Sequence, residues 1–141
     1  AITLGSEHTV ALKSNGTVVA WGMNHARDDA LGYHDIIQIS AASQYTVALR
    51  SNGTVVQWGK WTTWNESNLY LKPVTNETVP ADLKDVIAIS AGFNHAIALK
   101  KDGTVVAWGN NDFGQTTIPQ GLPPVSAISA GLFTTTLVFK K

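Results

Sequence analysis

The stretch Asn15-Gly-Thr-Val-Val-Ala-Trp-Gly22 returns as Asn52-Gly-Thr-Val-Val-Gln-Trp-Gly59 and again as Asp102-Gly-Thr-Val-Val-Ala-Trp-Gly109. Self-similarity of this kind decides architecture before any local reading does. Upstream of each stretch lies a second shared segment. Ala1-Ile-Thr-Leu-Gly-Ser-Glu-His-Thr-Val-Ala-Leu-Lys13 aligns with Ala88-Ile-Ser-Ala-Gly-Phe-Asn-His-Ala-Ile-Ala-Leu-Lys100, and Gln38–Arg50 and Ala127–Lys140 are two further copies. The copies therefore start at 1, 38, 88 and 127, and the fourth stops before its Trp-Gly part.

Each copy reads as β. Asn-Gly or Asp-Gly between two apolar runs is a strong hairpin signal, because both residues tolerate φ > 0. Val10 and Leu12 share one face of the first run and Thr9 and Ala11 the other. Neither face is polar, so the sheets should be covered on both sides. A shorter strand precedes each hairpin, at Ile36–Ala41 and Ile87–Ala91, and a weaker one is expected to follow it near Gln115–Pro119. The expectation is four antiparallel strands per copy and 14 in the chain.

A period of about 40 residues, four short strands and a Trp-Gly marker describe the blade of a β-propeller. Residues 89–115 complete the pattern Ile-Ser-Ala-Gly-x-x-His-x-x-Ala-Leu-Lys-x-Asp-Gly-Thr-Val-Val-Ala-Trp-Gly-x-Asn-x-x-Gly-Gln. This resembles the repeat of the regulator of chromosome condensation (RCC1) family. The Gln115-Thr-Thr-Ile-Pro119 ending is similar to the bacterial branch, which includes a β-lactamase inhibitor propeller. Ala42 departs from the pattern where Gly5, Gly92 and Gly131 stand, and Thr134 replaces the repeat histidine. The resemblance implies an all-β fold of about 3.5 blades, with a seven-bladed ring completed by a second chain, or else a fragment of a longer propeller. Open ends would expose apolar faces, which soluble monomers rarely do.

Composition narrows the function. The 141 residues carry ten basic and ten acidic side chains and no net charge, which disfavours nucleic-acid or anionic-surface binding. With no cysteine, thiolate zinc sites and thiol nucleophiles are excluded. No apolar run reaches the roughly 20 residues of a membrane helix, so no membrane insertion is expected. His25-Ala-Arg-Asp-Asp29 with His34-Asp35 offers ligand-type side chains but no metalloprotease, calcium-loop or nucleophile-elbow spacing. It reads as a solvated loop. No enzyme activity, cofactor or metal site is expected.

Trp21, Trp58 and Trp108 share one repeat position and read as packing between blades, while His8, Tyr45 and His95 read as bridges to neighbouring backbone. The spacing of 50 residues between the second and third copies implies an insertion of about 12 residues within 60–85. It carries Trp61, Trp64 and Tyr70 among Asn65, Asn68 and Lys72. Rings beside amides suit a protein hot spot, or stacking on sugars. The reading is a non-catalytic binding module that presents rim loops to a protein partner. A lectin using the 60–72 aromatics and an inhibitor of a secreted enzyme are the alternatives, and a homodimer is the expected assembly.

Overall fold

The computed structural model describes residues 1–22, 32–59 and 78–141, together with the backbone of 62–64 and 71–73. Every described element is a strand. β1 (Ile2–Leu4), β2 (His8–Leu12) and β3 (Val18–Gly22) form the first sheet. β4 (Ile36–Ala42), β5 (Tyr45–Arg50) and β6 (Val55–Gly59) form the second. β7 (Thr62–Trp64) and β8 (Leu71–Pro73) pair as a separate hairpin. β9 (Val86–Ala91), β10 (His95–Lys100) and β11 (Val105–Gly109) make the third blade, and β12 (Val125–Ala130) with β13 (Thr135–Phe139) the last. All pairings are antiparallel between chain neighbours.

Among the described residues the first three blades show three strands each and the last shows two. The expected strand at Gln115–Pro119 is a turn and loop instead. Gly114 has φ 76°, Thr117 N–H donates to the Gly114 carbonyl, and Pro119 has no N–H to give a ladder.

The hairpins form where expected, by a different mechanism. Asn15, Asn52 and Asp102 are absent from the left-handed region; only Gly16, Gly53 and Gly103 enter it, at φ 79°, 79° and 85°. Gly16 N–H donates to Lys13 O and Lys13 N–H to Thr17 O, a type I turn closed by a left-handed glycine. The Asn15 side chain stiffens the turn by accepting from Thr17 N–H and Oγ1 at 3.1 and 2.7 Å, as Asn52 does for Thr54 and Asp102 for Thr104.

Repetition fixes how blades join. The hairpin glycine carbonyls of Gly16, Gly53 and Gly103 accept from Ile36, Val86 and Val125, which open the following sheets. At the inner strands, Thr3, Ser40 and Ser90 accept through their hydroxyls from the N–H of Ala41, Ala91 and Ala130 on the next blade. Between these ties lie two apolar layers. Val10, Val18, Ile39, Ala48 and Trp58 fill the space between blades one and two. Tyr45, Val47, Leu49, Ile89, Ala98 and Trp108 fill that between blades two and three.

Coverage on both faces holds for the two middle blades only. Trp58 and Trp108 are 3% and 5% exposed, but Trp21 is 48% exposed, and Ile2 is 70% exposed where Ile39 is 9%. Trp21 therefore packs against no preceding blade among the described residues.

Candidate functional site

Second strands begin and third strands end on one rim, as the pairs His8–Gly22, Tyr45–Gly59 and His95–Gly109 show. The histidines are bridges, each reaching a threonine side chain of the following blade. His8 Nε2 meets Thr46 Oγ1 at 2.9 Å and His95 Nε2 meets Thr135 Oγ1 at 3.1 Å, each on the following blade. Tyr45 reaches backbone, its hydroxyl 2.6 Å from the carbonyls of both Gly92 and His95. Burial lowers the pKa of His8 and of His95 from 6.5, so both rings are neutral near pH 7, and it raises that of the Tyr45 phenol. These groups are scaffold beneath the rim.

Above them, Asn110–Thr117 is knotted by amide side chains. Asn110 Oδ1 accepts from Asp112 N–H at 3.0 Å and from Gln115 Nε2 at 2.9 Å, while Gln115 Oε1 accepts from Phe113 N–H at 2.9 Å. Thr135 Oγ1 donates to the carbonyl of the buried Gln115, at 2.8 Å. Fixed in this way, the loop holds Phe113 outward, 70% exposed, in tilted contact with Phe133 at 4.9 Å between ring centroids. Leu132 beside it is 56% exposed. Three apolar side chains on a rigid rim form a surface suited to a partner's apolar groups.

The insertion leaves the fold from this same rim, after Gly59. It contains the β7–β8 hairpin, with Thr63 opposite Lys72 and Trp64 opposite Leu71. The register places Trp64 and Lys72 by backbone, while Trp61, Asn65, Asn68 and Tyr70 lie outside the described residues. Phe113, Leu132 and Phe133 escaped the sequence reading. A register comparison holds the signal for the last of them, since Phe133 stands where the other copies carry Glu7, Gln44 and Asn94.

The ligand-type cluster is partly accounted for. Residues 25–29 lie outside the described residues. Asp35 belongs to Arg50: the guanidinium donates from Nε to both carboxylate oxygens at 3.1 Å and from NH2 at 3.0 Å, and stands 5.5 Å from the centre of the Tyr33 ring. Among the described residues no three His, Asp or Glu side chains converge as metal ligands.

Comparison with known proteins agrees with this architecture. Residues 1–26 and 86–115 match the family model described as the Regulator of chromosome condensation (RCC1) repeat. The ectodomain of the Arabidopsis thaliana receptor kinase ACR4 superposes with a TM-score of 0.69 at 23% identity, over 99% of this chain and 45% of that one. Prp20p of Saccharomyces cerevisiae, described with its binding to Gsp1p and histones, gives 0.68 at 16% identity, over 100% of this chain and 44% of its own. The ectodomain of the Physcomitrella patens receptor kinase CR4 gives 0.71 at 19%, over 99% and 38%. The chain spans less than half the length of each, and identities this low speak for the fold alone. No curated protein sequence matches significantly. Blade geometry, strand register and sequence pattern agree that this chain resembles RCC1-type repeats and folds as antiparallel propeller blades.

Proposed function

We propose that the chain is a non-catalytic binding module that engages a protein partner through the rim carrying Phe113, Leu132 and Phe133 and through the insertion within 60–85. The single observation that supports this is the exposed Phe113–Phe133 pair, held outward by a loop whose polar groups are satisfied internally. An RCC1-type neighbour, Prp20p, is described as binding Gsp1p and histones and as bound by Kap60, so protein recognition is a use to which this fold is put. A large apolar ring already fixed in place loses little entropy on binding and anchors interfaces well.

Trp61, Trp64, Tyr70, Asn65, Asn68 and Lys72 of the insertion are the further partner-binding residues in this reading. The test compares affinity capture by the intact chain with capture by Phe113→Ser/Leu132→Ser and by Trp61→Ala/Trp64→Ala. A protein retained by the intact chain and lost from both variants, at unchanged melting temperature, is the expected result. Retention by both variants overturns the reading. Saturable binding of a glycan that depends on Trp61 and Trp64 would move the function to the lectin alternative, and stoichiometric inhibition of a secreted hydrolase to the inhibitor alternative.

A further inference from the structure

We propose that Asn15 and Asn52 are acceptor sites for N-linked glycans, presented on the rim opposite the one that carries Phe113 and Phe133. Asn15-Gly-Thr17 and Asn52-Gly-Thr54 both have the spacing of asparagine, any residue but proline, and threonine that marks such acceptors on surface loops. The pattern alone says little, because a hairpin turn also favours asparagine and glycine at these places. The third copy separates the two demands. Asp102 accepts from Thr104 N–H at 3.0 Å and from Thr104 Oγ1 at 2.6 Å, the same two bonds that Asn52 accepts from Thr54 at 3.0 and 2.6 Å. The turn therefore uses one side-chain oxygen, and a carboxylate serves it as well as an amide. The nitrogens of Asn15 and Asn52 have no part in holding the hairpins.

Those nitrogens are also accessible. Both asparagines are exposed, and neither Nδ2 donates to another of the described residues. With Oδ1 held by the threonine two residues on, the nitrogen on the other side of Cγ is left to solvent. Transfer joins Nδ2 to the anomeric carbon of the sugar and breaks the bond from that carbon to the pyrophosphate of a lipid-linked oligosaccharide donor. The lipid pyrophosphate leaves, and one amide proton is released. Oδ1 takes no part, so both turn bonds survive the modification. Position gives the sites their consequence. The turns lie one strand length from Gly22 and Gly59, which end β3 and β6 at the other rim. Each of those strands has five residues and so spans about 16 Å. Glycans at the turns solvate one rim and leave Phe113, Leu132 and Phe133 open on the other. Asn65-Glu-Ser67 and Asn76-Glu-Thr78 have the same spacing, but Asn65 and Asn76 lie outside the described residues and are no part of the proposal.

The test secretes the intact chain from a eukaryotic host cell, which supplies the donor and the transferase. Each asparagine is then read separately by peptide mass spectrometry after enzymatic release of glycans, which leaves aspartate wherever a glycan stood. Glycan is expected on both Asn15 and Asn52. Asn15→Asp and Asn52→Asp should each lose the glycan at the substituted position and keep the melting temperature of the unglycosylated chain, since Asp102 already holds the same turn. Asp102→Asn should gain a third glycan, because Thr104 completes the pattern there. An unmodified Asn15 or Asn52 in the secreted chain overturns the proposal. So does a lowered melting temperature in either aspartate variant, which would make the amide a requirement of the turn, and so does the absence of a new glycan in Asp102→Asn.

Discussion

Where Ala42 stands in place of a repeat glycine, Tyr45 stands in place of the repeat histidine, and packing explains why the two change together. A Cβ on Gly5 would run into the ring of His8, and one on Gly92 into the ring of His95 and, at 2.5 Å, the Gly131 carbonyl. Neither glycine has a positive φ, so the demand is for space and not for backbone freedom. Gly92→Ala should cost about 1–3 kcal/mol, as overpacking does. Adding His95→Tyr should recover part of that loss, because the second copy already uses the Ala-Tyr combination. Urea unfolding of the two single variants and the double closes the cycle, and strict additivity would refute the pairing. A second case is Trp108, whose indole donates to Gln57 Oε1 at 2.8 Å, whereas the buried Trp58 indole N–H has no partner among the described residues. The residue in the Gln57 position one blade earlier is Ala20. Ala20→Gln should supply the missing acceptor and raise stability by about 1 kcal/mol, seen as a higher urea midpoint with unchanged slope. The buried histidines set a pH dependence. Their folded pKa values lie below 6.5, so the unfolded chain binds protons that the folded chain refuses. Stability is therefore full above about pH 6.5 and falls as pH drops through and below it. His95→Gln should flatten the slope of unfolding midpoint against pH between 7 and 5, and an unchanged slope would mean the ring does not carry it.

At the scale of elements, what the sequence disclosed and what it hid follow one physical rule. Strand pairing was legible because the hairpin and its apolar flanks repeat, and the same Leu99–Val105 contact recurs as Leu12–Val18 and Leu49–Val55. Turn conformation was not legible from the Asn-Gly pair, which suits two turn types; the side-chain acceptor on Asn15 selects between them. The Gln115–Pro119 segment misled because Thr116, Thr117 and Ile118 favour strands, yet Gly114 and the Asn111 amide bend the chain before a ladder starts. The rim site was half legible: the insertion announced itself by spacing, while Phe113 and Phe133 needed the fold to bring two loops together. Equivalent strands also differ in what covers them, which makes a sharp test. Trp108→Ala removes a core ring and should cost about 3–5 kcal/mol, whereas Trp21→Ala, at 48% exposure, should cost about 1 kcal/mol or less. Equal losses in thermal denaturation would show that Trp21 is covered in solution.

That possibility belongs to the whole molecule. The first blade leaves Ile2, Leu4, Val19 and Trp21 exposed on the face that the middle blades bury, and the last leaves Val138 exposed on the opposite side. These two faces are not alike but complementary, since each matches one side of a blade contact seen twice inside the chain. Pairing between copies would therefore run first blade to last blade, a heterologous contact that closes only if two copies complete a turn and otherwise grows. Such coverage would bury side chains at about 25 cal/mol for each Å² of apolar surface, before the cost of association. If copies pair in this way, light scattering gives a mass near twice 15.1 kDa, which falls to that of one chain in Leu4→Glu and, separately, in Val138→Glu. Mixing the two variants should restore association, because each keeps the face the other has lost. A pairing of like faces would give another pattern, in which one variant still dimerises by itself and mixing changes nothing. A monomeric intact chain at high concentration would rule out both arrangements.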